Sequence, residues 1–175
     1  MVEENFEEML TGGHPNSLGR TIEVVDAVIA NSDRLEELYQ CYFSDDEVVR
    51  LRTSNAMKRV SREKPELLVP YIDNFIEIIS RIEQASTQWT LANLFETLSS
   101  DMSPEQMKKA KDIMKKNLKS HDDWIVLNNS MQTLGNWALS DEKLKKWLMP
   151  HLNRLSTNAR KSVSGRTKKL IKSLS

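Results

Sequence analysis

The 175-residue chain has little of what builds disulfide scaffolds, hairpins or membrane spans. Its one cysteine, Cys41, has no internal partner, so a reducing compartment and a small apolar packing role are expected for the thiol. With five Gly and five Pro, it holds no glycine dipeptide of the hairpin kind except Gly12-Gly13, and that pair precedes His14-Pro15 and reads as a spacer. No apolar run approaches the roughly 18 residues that a membrane helix needs. The first ten residues carry Glu3, Glu4, Glu7 and Glu8 without a basic residue, the reverse of a secretory leader. The expectation is a soluble, cytoplasmic protein with no membrane partner.

Chemistry-bearing clusters are equally sparse. His14, His121 and His151 stand far apart, with no His or Cys at metal-ligand spacing, so neither a metal nor a cofactor is expected. Nothing resembles a nucleophile elbow or a phosphate-cradling glycine loop. Acid is missing too, but only locally. Residues 143–175 hold ten Lys and Arg and no Asp or Glu, whereas residues 1–50 hold twelve acids against Arg20, Arg34 and Arg50. Ends of opposite sign attract different partners or, head to tail, each other, and the latter association would weaken with salt.

What is present is helical periodicity that repeats. Leu51, Thr53, Met57 and Val60 share one arc of a 3.6-residue helix, and a shift of 38 residues places Trp89, Leu91, Phe95 and Leu98 on the same arc. A shift of 74 places Ile125, Leu127, Met131 and Leu134 there. Thr21, Val25 and Val28 form a looser earlier copy; Val163, Thr167 and Leu170 form a last one. Between the copies run second stripes. Leu68, Ile72, Phe75, Ile76 and Ile79 form the first. Met107, Ala110, Ile113, Met114 and Leu118 form the next, and Leu144, Trp147, Leu148, Leu152 and Leu155 the third. Polar starts punctuate them: Ser44 with Glu47 and Ser103 with Gln106 at capping-box spacing, Ser32-Asp33, His121-Asp122-Asp123 and Ser140-Asp141, with Pro65 and Pro104 suited to first turns. Nine or ten helices follow.

Asp46-Glu47-Val48-Val49-Arg50, then Ala56-Met57, then Pro65-Glu66-Leu67-Leu68, resembles a HEAT repeat of the HEAT and armadillo class. The resemblance implies an all-α, right-handed α-solenoid of about four to five stacked helix pairs over residues 16–175, behind an acidic N-terminal segment, 1–15. It implies a binding surface and does not imply a catalytic activity. Gln88 and Trp124 stand where later copies would repeat Arg50, so the family's charged ladder does not extend past that one repeat. A final helix over about 158–174, with no second helix after it, reads as a cap.

The candidate binding residues are the basic set Lys161, Arg166, Lys168, Lys169 and Lys172, suited to phosphates or an acidic protein surface. The candidate aromatics are Trp124 and Trp137; Trp89 and Trp147 fall on core stripes. The first functional expectation is a non-enzymatic adaptor or scaffold that binds protein. The second is a nucleic-acid-associated protein using the basic end. A distant third is a base-excision glycosylase of the alkylation-repair kind, with Trp137 and Asp141, four residues apart, as aromatic and carboxylate.

Overall fold

A computed structural model describes residues 4–175, which form ten α-helices and no strand. Val2 and Glu3, near the start of the acidic N-terminal segment, lie outside the described residues. Two compact units divide the chain, Met1–Arg81 and Ile82–Ser175. The first contains α1 (Phe6–Met9), α2 (Thr21–Ala30), α3 (Leu35–Gln40), α4 (Glu47–Glu63) and α5 (Ile72–Glu77). The second contains α6 (Ala85–Thr97), α7 (Pro104–Ser120), α8 (Trp124–Ala138), α9 (Glu142–Leu155) and α10 (Lys161–Leu174).

The repeating arc is the buried arc. Thr53, Met57 and Val60 are buried on α4, Leu91 and Phe95 on α6 with Leu98 just past its end, Leu127, Met131 and Leu134 on α8, and Val163, Thr167 and Leu170 on α10. The leading member of each set, Leu51, Trp89 or Ile125, is half-buried at the edge. Within the units these helices meet one another, α2 on α4 and α6 on α8, with α10 also on α8. Each fully buried Leu, Phe or Met contributes roughly 1.5–3 kcal/mol that its own helix alone would leave in water. In the second unit polar groups fix the register of these contacts. Thr133 Oγ1 donates to the Ala92 carbonyl at 3.0 Å, and Asn117 Nδ2 donates to Gln88 Oε1 at 2.9 Å inside the core. Gly135 lets α8 and α10 approach, because a Cβ there would stand 2.8 Å from Leu170 Cδ2.

Three expected features are corrected. The segment after Pro65 is not one helix: a 3₁₀ stretch, Pro65–Tyr71, precedes α5, and a short 3₁₀ turn follows it. Pro70 is the cause, since it lacks an N–H and disfavours helical backbone at Val69. The stripe Leu68, Ile72, Phe75, Ile76 and Ile79 is nevertheless buried. The start of α4 is capped by Asp46, whose carboxylate accepts from Val48 N at 2.8 Å, while Ser44 Oγ accepts from Asp46 N one step earlier. Ser32-Asp33 begins a 3₁₀ turn capped by Asn31. The Ser103–Gln106 capping box forms with both of its hydrogen bonds, at 3.1 and 2.9 Å, and Asp123 and Asp141 cap α8 and α9.

The acidic segment is docked on the first unit. Phe6, Met9 and Leu10 are buried, Phe6 N donates to Glu37 Oε1 at 2.9 Å, and the Arg34 guanidinium lies 3.9 Å from the Phe6 ring centroid. Behind it, the exposed loop from Thr11 to Gly19 is held from beneath by Arg52. That side chain is 1% exposed and donates to four backbone carbonyls, Leu10 at 2.9 Å, Gly12 at 2.6 Å, His14 at 3.2 Å and Ser17 at 3.2 Å. Gly19 has φ +52°, and a Cβ on it would reach within 2.9 Å of Arg52 Nη1. Only glycine meets both conditions without strain.

Candidate functional site

Charge is handled differently in the two units. The first has nine Lys and Arg against sixteen Asp and Glu, −7; the second has sixteen against nine, +7. In the first the cations are mostly arginines engaged inside the fold. Arg20 bridges Glu4 and Glu23, Arg34 pairs with Glu37, Arg50 donates to the Ser44 carbonyl, and Arg52 holds the loop. The second unit has thirteen of the chain's fifteen lysines. Among the described residues the side-chain ammonium groups of Lys108, Lys116, Lys119, Lys143, Lys145, Lys146, Lys161, Lys168, Lys169 and Lys172 have no hydrogen-bond or ion-pair partner.

The lysines of this unit are ordered by helical register. On α7, Lys108, Lys111, Lys115 and Lys119 fall three or four residues apart, one per turn, and therefore form a single row. On α9 the same spacing aligns Lys143, Trp147, His151 and Arg154. Contacts join α7 to α9 and its N-cap at three levels. Lys111 Nζ pairs with Asp141 at 2.9 Å, Lys115 Nζ lies 5.2 Å from the Trp147 ring centroid, and Arg154 Nη2 donates to the Leu118 carbonyl at 3.4 Å. Two clefts open along this seam. One of about 390 Å³ is lined by Lys108, Lys111, Asp112, Lys115, Asp141 and Lys143. The other, of about 210 Å³, is lined by Lys119, His121, Asp122, Arg154 and Asn158. Between them Trp147 and His151 stack with centroids 4.2 Å apart, both half-buried. Burial, then the charges of Arg154 and Lys119, hold the His151 imidazolium below its ordinary pKa.

Lys161, Arg166, Lys168, Lys169 and Lys172 form a second basic surface on the exposed side of α10, with Arg166 Nη1 donating to Gln132 Oε1 at 3.1 Å. Trp124 begins α8 at 37% exposure with the Arg160 guanidinium 5.6 Å from its ring centroid. Trp137 is 8% exposed, and its Nε1 has no hydrogen-bond partner. Asp141 is engaged twice, accepting from Leu144 N at 3.0 Å and from Lys111 Nζ, and Lys111 first and the backbone donor second hold its carboxyl below the usual aspartate range. His121 Nδ1 accepts from Asp123 N at 3.1 Å as part of the α8 start. Cys41 is buried, donates to the Glu37 carbonyl at 3.3 Å, and has its thiol pKa pushed up to about 12 by burial, so it is not a nucleophile near neutrality. Among the described residues no three His, Cys, Asp or Glu are grouped to hold a metal ion, and no helix is long and apolar enough to cross a membrane.

No protein-family model and no curated protein matches this chain. Function is therefore read from the side chains themselves. Two features escaped the sequence. Trp147, assigned to a core stripe, stands at its edge with one side on the seam, because its position lies a residue off the arc of Leu144, Leu148, Leu152 and Leu155. The α7 lysine row had a readable signal in its three- and four-residue spacing, hidden in the sequence by the interspersed Lys109, Lys116 and Asp112.

Proposed function

We propose that the chain is a non-enzymatic, HEAT-like helical-repeat module of the α-solenoid type, an adaptor that presents a preformed helical surface, and that its second unit takes an anionic macromolecule. The observation that supports this reading is the set of surface lysine side chains left without partners in the second unit, beside a first unit most of whose arginines are engaged. Lysines held by nothing internal are available to a partner without loss to the fold, and their summed potential steers an anion toward them.

The test is binding of purified protein to two polyanions, polyglutamate and an oligonucleotide, followed by fluorescence anisotropy across salt. Affinity is expected at low salt and is expected to fall by at least tenfold between about 50 and 200 mM. Absence of binding to either probe at low salt refutes the reading. The acidic unit of a second copy is the competing occupant, and light scattering over the same salt series separates it, since self-association raises the apparent mass only at low salt.

A further inference from the structure

The seam between α7 and α9 differs from the α10 surface in one respect: its cations flank an aromatic pair. A polyanion of carboxylates needs only the charge. The Trp147 and His151 rings lie face over face at 32° midway along the seam, both half-buried, and a planar ring of a ligand that also carries phosphates can extend this stack from an outer face. The clefts on either side are lined by Lys108, Lys111 and Lys143 at one end and by Lys119 and Arg154 at the other. From Lys108 to Lys119 the row rises about 16 Å along α7, one cation per turn. That length accommodates a few nucleotides of backbone. A duplex hides its ring faces in its own stack, so the aromatic patch is useful only to an unpaired base.

Resting on the anionic-partner reading above, we propose that the α7–α9 seam binds a single strand of nucleic acid, its phosphates held in the two clefts and one base stacked on the Trp147–His151 pair. Asp112 and Asp141 also line one cleft and Asp122 the other, and their carboxylates subtract from the positive charge offered to a phosphate there.

The experiment measures anisotropy of fluorescein-labelled oligo(dT) of about twelve nucleotides, with a duplex of equal length and polyglutamate as the alternative probes. With about four phosphates neutralised, the slope of log affinity against log salt is expected near roughly −3. Lys108→Gln with Lys115→Gln and Lys119→Gln should lower oligo(dT) affinity at least tenfold and flatten that slope, while Lys161→Gln with Lys168→Gln and Lys172→Gln, which remove equal charge away from the seam, should cost only a small part of that. Trp147→Leu should lose about tenfold for oligo(dT) and nothing for polyglutamate; Trp147→Phe should retain binding. His151→Ala, a half-buried position, repeats the stacking test if Trp147→Leu proves unfolded by circular dichroism. Equal binding of polyglutamate with no response to Trp147→Leu or His151→Ala overturns the nucleic-acid assignment and leaves the anionic-partner reading standing. Tighter binding of the duplex, or loss on the α10 variant with the seam variant unaffected, overturns it as well. Failure of every probe at low salt removes both readings.

Discussion

The first unit uses charge as mortar and the second leaves it on display. Arg20, Arg34, Arg50 and Arg52 each have at least one partner from their own unit, and Arg52 has four. The lysines of α7, α9 and α10 mostly have none. The residue types suit the roles, since a guanidinium offers five donors in a fixed fork and is less strongly hydrated than an ammonium, so it is the easier cation to bury among carbonyls. The difference shows that formal charge says little about a surface until each cation has been matched to its acceptors. A net charge of zero conceals one unit, at −7, whose arginines are mostly matched to internal acceptors and one, at +7, whose lysines mostly are not.

The sharpest way to break this comparison is at Arg52. Arg52→Leu leaves the Leu10 carbonyl buried and unpaired and frees the loop, and is expected to cost about 3 kcal/mol in urea unfolding. Arg52→Lys should recover only part of that, because one ammonium cannot span four carbonyls. A loss under about 0.5 kcal/mol would mean that the first unit's charge is not structural. The second unit offers the exception that sharpens the contrast, Asp141 with Lys111. Asp141→Asn is expected to cost about 1 kcal/mol at neutral pH through the weakened cap and lost ion pair. Because the folded carboxyl pKa is lowered, its stabilisation is fully present above the unfolded aspartate value of about 3.9 and is lost as pH falls below that through the folded value. Denaturant curves of wild type and Asp141→Asn should therefore converge at low pH. By contrast, neutralising Lys116, Lys145 and Lys169 together should change stability by less than about 0.5 kcal/mol per site. The smallest expected effect is at His151. Its pKa is lowered in the free protein, so a polyanion on the seam should raise it and draw in a proton, and oligo(dT) affinity should rise modestly as pH falls from the bound value toward the lowered free one, a response that His151→Gln abolishes.

Helix positions were legible because burial imposes a 3.6-residue period whatever the fold, and Met57, Phe95 and Met131 announce the same face at each return. The break at Pro70 was legible in principle, since proline's missing donor is a local fact. Arg52 was not legible. Its partners are main-chain carbonyls 35 to 42 residues earlier, and a carbonyl has no side-chain signature in a sequence. The seam was half legible: register arranges each row on its own helix, but the pairing of Lys115 with Trp147 and of Lys111 with Asp141 depends on how α7 and α9 lie in space.

The loop over Arg52 separates two properties that usually travel together, exposure and yielding. A protease needs several consecutive residues drawn out into its cleft, and the stretch from Thr11 to Gly19 lies open to solvent with four carbonyls in and beside it anchored to one buried fork. Cleavage there has to wait for the guanidinium to release its hold, so the time for which this loop survives digestion measures how often the first unit opens.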